Sequence, residues 1–129
     1  MESSVLLVDD SVAIRKILQR ALRQTGISIN AIHEAGDGQE ALILLETEKV
    51  DLIFSEIDMP KMNGLQLLES LKTSARWRHI PVVMITREGG AASVGEAVRL
   101  GAAGYLRKPF TPEQIKERLV GILEPAQLQ

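Results

Sequence analysis

The run Asp51–Gly64, DLIFSEIDMPKMNG, decides how the rest of the chain is read. Leu52-Ile53-Phe54 is a short apolar stretch that ends in Ser55 and Glu56. A loop with a second acid, Asp58, follows, then Pro60 and an Asn63-Gly64 turn. A short apolar run bounded by turn signals reads as a strand covered on both faces. Such a strand delivering a carboxylate into a tight loop is an unusual thing to build for packing alone. The acids able to meet it, Asp9 and Asp10, directly follow another apolar run, Val5-Leu6-Leu7-Val8.

Outward from that stretch, strand and helix patterns alternate. Ser11 is a plausible N-cap, its hydroxyl able to accept a free N–H of the first helical turn. Ile14, Ile17, Leu18, Ala21 and Leu22 then recur at helical spacing, with Arg15, Lys16, Gln19, Arg20 and Arg23 on the other side. This is an amphipathic helix closing at Gly26. Residues 29–35 are mixed and predict a weaker strand at a sheet edge. Asp37-Gly38 punctuates, and a second helix is expected over 39–48. A third is expected over 65–72, burying Leu67, Leu68 and Leu71. Pro81 opens a fourth strand, 82–85, at the position where a missing N–H is tolerated.

Glu88-Gly89-Gly90 reads as a flexible entry to a helix over about 92–100, with Val94, Ala97, Val98 and Leu100 apolar. A fifth strand is expected over 102–107. Thr111 caps a last helix that has Pro112 at its first position and Glu113 in its first turn. Ile115, Leu119, Ile122 and Leu123 would form its inner face, with the chain stopping soon after Pro125. Five strands alternating with five helices imply an α/β fold, a parallel sheet wrapped by helices on both faces. Its crossovers must be right-handed.

Length and composition bound the function. A chain of 129 residues suits one domain, 1–129, with no room for an output domain after the fifth helix. A net charge of −2 offers no global attraction to nucleic acid or anionic membranes. The absence of cysteine excludes disulfides, thiolate catalysis and zinc–thiolate sites, and fits a reducing compartment. The start, MESSVLLVDD, has neither a basic n-region nor a long apolar stretch, so no signal peptide or membrane span is expected and the predicted location is cytoplasmic. His33 and His79 lack metal-ligand spacing. Trp77, among Arg76, Arg78 and His79, reads as a partly exposed contact, and that basic cluster is too small to argue nucleic-acid binding.

In a doubly wound sheet, sites form beyond the carboxyl ends of the strands. The residues there would be Asp9 and Asp10, Glu56, Thr86 and Lys108. Acids brought together repel unless a cation sits among them. Hard oxygen ligands without His or Cys point to Mg²⁺ rather than a transition metal. Lys108 and Thr86 add a positive charge and a hydrogen-bond donor, which together suit a phosphoryl group. Taken alone, Asp9-Asp10-Ser11 could simply be a helix N-terminus with acids favouring the dipole, and Tyr105 could simply pack.

The motifs LLVDDS (Leu6–Ser11), DMPKMNG (Asp58–Gly64), MIT (Met84–Thr86) and GYLRKPF (Gly104–Phe110) resemble those of the receiver domains of bacterial response regulators, over essentially the whole length. The resemblance implies a flavodoxin-like strand order, 2-1-3-4-5. It implies that Asp9, Asp10, the Glu56 position and the backbone carbonyl of Asp58 bind Mg²⁺. Thr86 and Lys108 would contact the phosphoryl oxygens, and Thr86 and Tyr105 would form the switch. Lys108-Pro109 would be cis, against a base rate of about 5–6% for X–Pro bonds. The implied partners are a sensor histidine kinase and an output protein read through about Ala92–Leu123. Neither nucleic acid nor membrane is implied, and the expected state is a monomer or weak dimer.

One position departs from the pattern. The family's phosphoacceptor is aspartate, and Glu56 stands in its place. The extra methylene displaces the carboxylate, and a misplacement of about 1 Å can cost on the order of 10²-fold in rate. A phosphorylation-impaired or partly phosphomimetic form is therefore expected, the mimicry partial because one carboxylate carries less charge than a phosphate. With every other signature residue intact, a recent or deliberate replacement is favoured over a natural variant. Arg87 is a second departure, where the family has a small residue; it could narrow access, pair with Glu56, or face solvent.

The leading expectation is a signalling phosphoacceptor rather than an enzyme. The alternative is a degenerate receiver that binds partners constitutively without phosphoryl chemistry. A phosphohydrolase with an aspartate nucleophile is remote, because Asp9 and Asp10 are adjacent rather than spaced by one residue and no cap insertion exists.

Overall fold

A computed structural model of the chain describes residues 3–86, 91–119 and 122. Arg87, Glu88–Gly90, Leu123 and Pro125 lie outside the described residues, and with them the expectations placed on those positions. The elements run β1 (Ser3–Val8), α1 (Val12–Gln24), β2 (Ile29–Ala35), α2 (Gly38–Leu45), β3 (Leu52–Glu56), α3 (Gly64–Lys72), β4 (Val82–Thr86), α4 (Ala91–Arg99), β5 (Gly104–Arg107) and α5 (Pro112–Leu119). All neighbouring strands pair in parallel, in the order β2-β1-β3-β4-β5. The expected α/β architecture and its flavodoxin-like order are both present.

The alternation of side chains along each strand sorts the core into two layers. Val5, Leu7, Leu52, Phe54, Val83 and Ile85 face α1 and α5, meeting Leu18, Leu22, Ile115 and Leu119. Leu6, Val8, Ile53, Val82 and Met84 face the other way, onto Leu45, Leu67, Leu68, Leu71 and Ala97 of α2, α3 and α4. Every residue of β3 and β4 is buried, as expected of central strands covered on both sides. Strand β2 is mostly half-buried and lies at the edge, as its weaker pattern predicts.

Caps explain where the helices start. Ser11 Oγ accepts from the Ile14 N–H at 3.2 Å, and Asp37 Oδ1 accepts from the Glu40 N–H at 2.9 Å. Asn63 and Gln66 form a reciprocal capping box, each side chain accepting from the other's N–H at 2.9 Å. Thr111 and Gln114 repeat that arrangement ahead of α5.

Some local expectations shift. Helix α2 ends at Leu45 rather than at 48, because Glu46, Thr47 and Glu48 close a turn on the carbonyls of Ile43 and Leu44. Strand β5 starts at Gly104, two residues later than expected. Ile17 and Val98, both assigned to apolar faces, are 52% and 61% exposed. The covered arc of α1 is narrow and is filled by Leu18, Ala21 and Leu22. Among the described side chains of α4, Ala97 is the buried one.

Candidate functional site

The chain leaves three strands with one last rung of the ladder already in the loop. The Asp9 N–H donates to the Ala35 carbonyl at 3.1 Å, Ile57 to Ile85 at 3.0 Å, and Lys108 to Thr86 at 2.9 Å. These bonds fix the backbone where the polar side chains emerge, so the side chains are aimed by the sheet rather than by flexible loops.

Asp9 and Glu56 are each 2% exposed, and Thr86 is buried at the end of β4. The Lys108 ammonium lies between the two carboxylates, 2.8 Å from Glu56 Oε2 and 3.2 Å from Asp9 Oδ2. The other Asp9 oxygen, Oδ1, accepts from the Ser11 N–H at 2.9 Å, so this acid is held from two sides. Two carboxylates buried side by side would be untenable without a cation, and here the lysine supplies it. Lys108-Pro109 is cis, as the motif implied. Tyr105, in contrast, is 41% exposed at the rim.

The loop after β3 is shaped around Glu56. It turns through Lys61 at φ 63°, a left-handed conformation uncommon for residues other than glycine. It returns so closely that the Gly64 N–H donates to the Ile57 carbonyl at 2.8 Å. A Cβ on Gly64 would stand 2.1 Å from the Glu56 carbonyl oxygen, so only glycine fits there. The buried Ser55 hydroxyl donates to that same carbonyl at 3.1 Å.

Of the sequence-derived set, the fold brings together Asp9, Glu56, Lys108 and the backbone of Thr86. Asp10 and Asp58 sit exposed at the mouth. Among the described residues, no three His, Cys, Asp or Glu side chains are grouped so as to hold a metal ion. Asp9 and Glu56 thus share the Lys108 ammonium, while Asp10 and Asp58 are exposed. The donor chemistry still suits Mg²⁺, which keeps several waters and takes one or two carboxylates rather than a closed protein cage.

Sequence reading missed a second layer. Arg15, placed on the polar face of α1, has a side chain only 14% exposed and donates to the Asp9 carbonyl. Its Nε pairs with Glu34 of β2 at 3.0 Å. The contact joins three elements, so no local pattern announces it. Arg118 of α5 is another such residue, with Nε donating to the Tyr105 carbonyl at 2.8 Å. Neither His33 nor His79 approaches the site; His33 Nε2 lies 3.9 Å from Glu48 on the far edge.

Comparison with known proteins follows the same lines. The family described as "Response regulator receiver domain" matches residues 5–120. A "Chemotaxis protein CheY homolog" of Campylobacter jejuni is 38% identical over 92% of this chain and 91% of its own length. The "Chemotaxis protein CheY" of Pseudomonas aeruginosa is 37% identical, over 93% and 95%. Among solved structures, the chemotaxis response regulator CheY4 of Vibrio cholerae superposes with a TM-score of 0.82 at 32% identity, covering 95% of this chain and 100% of that one. A putative response regulator from Chloroflexus aurantiacus reaches 0.85 at 25% identity, over 95% and 98%. Among the described residues, no helix is long and apolar enough to cross a membrane.

Proposed function

The chain belongs to the response regulator receiver family, and from that premise we propose that it is a two-component signal receiver whose phosphoacceptor position, Glu56, is impaired for phosphorylation. The observation that carries this reading is the Lys108 ammonium held 2.8 Å from Glu56 Oε2 and 3.2 Å from Asp9 Oδ2. A cation at this spacing from the acceptor carboxylate suits the charge that develops on a transferring phosphoryl group, and the buried second acid suits a metal cation.

In this reading a sensor histidine kinase supplies the phosphoryl group to the aspartate form of the receiver. Lys108 neutralises phosphoryl charge, and the Thr86 hydroxyl donates to a phosphoryl oxygen. The carboxylates of Asp9 and Asp10 and the carbonyl of Asp58 would hold Mg²⁺, which supplies further charge neutralisation when bound. Glu56 already reaches Lys108 with its own carboxylate, so it satisfies part of the cation's charge and supports a partly phosphomimetic state. Its longer arm misplaces the attacking oxygen, and a displacement of about 1 Å costs on the order of 10²-fold. Thr86 and Tyr105 act as the switch, and the surface of about Ala92–Leu123 meets an output protein. The chain works as a monomer or weak dimer in the cytoplasm, in protein-contact signalling of the kind the relatives' chemotaxis names denote.

Intact-mass measurement after incubation with acetyl phosphate and Mg²⁺ tests the proposal. Little modification is expected, against a stoichiometric gain of one phosphoryl group in Glu56→Asp. Fast, complete modification of the Glu56 protein would overturn the impaired-site reading. Output-partner binding that is equal for Glu56 and Glu56→Asp, with and without phosphodonor, would instead mark a constitutive interaction module.

A further inference from the structure

Tyr105 is held at two points by one side chain. Arg118, in the last turn of α5, donates its Nε to the Tyr105 carbonyl at 2.8 Å. Its guanidinium carbon also lies 5.7 Å from the centroid of the Tyr105 ring. The two contacts respond differently to rotation of the tyrosine. The carbonyl belongs to β5, whose ladder pairs Tyr105 with Met84 of β4, so it stays in place whatever the ring does. The ring contact exists only while the ring points outward over the guanidinium, in its present 41% exposed position. The carbonyl bond thus anchors the cation, and the anchored cation rewards one rotamer.

We propose that Arg118 is a positioning residue that latches Tyr105 in its outward rotamer and so sets how readily the switch turns inward. The inference rests on the receiver reading of Tyr105 and extends it to a regulatory contact. A cation over an exposed aromatic ring favours the outward state by about two- to fivefold in population. A pocket of about 340 Å³ between β5 and α5 is lined by Tyr105, Lys108, Pro109, Gln114 and Arg118 among others. An arginine is suited to both tasks, because its planar fork donates in-plane while its face stacks.

The chain contains one tyrosine, so fluorotyrosine labelling gives a fluorine NMR spectrum that reports Tyr105 alone. The probe is the difference in its chemical shift between H₂O and D₂O, which tracks exposure of the ring. In Arg118→Met, which keeps the stem and removes the guanidinium, the expected result is a smaller solvent shift, with the inward population raised about two- to fivefold. Arg118→Lys keeps a cation but loses the fork, and is expected to fall between. Arg118→Gln serves as a second neutral variant, and circular dichroism checks that each variant is folded. A solvent shift unchanged in both folded neutral variants would overturn the latch. The measurement needs no phosphodonor, so failure of Glu56→Asp to gain a phosphoryl group would sink the receiver reading without touching this result.

Discussion

The centre and the margins of this sheet are built to different standards. In β3 and β4 every side chain is buried, and Asp9 after β1 and Glu56 at the end of β3 are each 2% exposed. At the margins, β2 is half-buried and β5 buries only Leu106. The two buried carboxylates lie where strands flanked on both sides end, and Lys108 reaches them from the end of edge strand β5. The tyrosine proposed to signal outward sits where its ring has room. A charge cluster needs fixed geometry, because its balance depends on distances of about 3 Å. A side chain that reports a change of state needs two accessible positions of similar free energy.

The contrast can be broken at its most committed point first. Lys108→Met leaves Asp9 and Glu56 buried without their cation. Losing one partner of a buried ion pair costs about 3–5 kcal/mol. Urea denaturation should show that loss, and an unchanged midpoint would mean the three charges do not depend on one another. Gly64→Ala forces a methyl against the fixed Glu56 carbonyl. Overpacking costs about 1–3 kcal/mol, and a clash with backbone places this variant at the upper end. Equal stability would show that the loop around Glu56 yields more easily than its geometry implies.

Glu56→Asp sharpens the comparison instead. Shortening one central side chain by a methylene should raise the rate of phosphoryl uptake on the order of 10²-fold, read by intact mass over time. At the margin, Thr111→Ala removes the hydroxyl that caps α5, and a loss of about 1 kcal/mol is expected by thermal or urea unfolding. The smallest effect belongs to Ile43→Ser. Ile43 is 72% exposed on α2, and a change within about 0.5 kcal/mol is expected. A large loss there would reveal that the edge is packed against something in solution, which analytical ultracentrifugation would detect.

Much of this contrast was legible before the fold was known. Val5–Val8, Leu52–Phe54 and Val82–Ile85 are unbroken apolar runs and became central strands, whereas the mixed Ile29–Ala35 became an edge. Ser11 and Thr111 are local signals, because a cap bonds an N–H only three residues ahead, and Asn63, read only as part of a turn, caps α3 in the same way. Ile17 and Val98 were misplaced because helical periodicity indicates an apolar face without saying how wide an arc the neighbouring layer covers.

The sequence by itself determined the strands, their helices and the polar residues that end each strand, because these depend on side-chain periodicity and on bonds a few residues long. Only the tertiary structure decided how those ends combine. Lys108 meets Asp9 across 99 residues, and Arg118 reaches back 13 residues from α5 to β5. Asp10 and Asp58 stay exposed while Asp9 and Glu56 share one ammonium. Such contacts follow from the register of four parallel strands and from which helix covers which face. No local pattern carries that information, since it arises only when both layers of the core have closed.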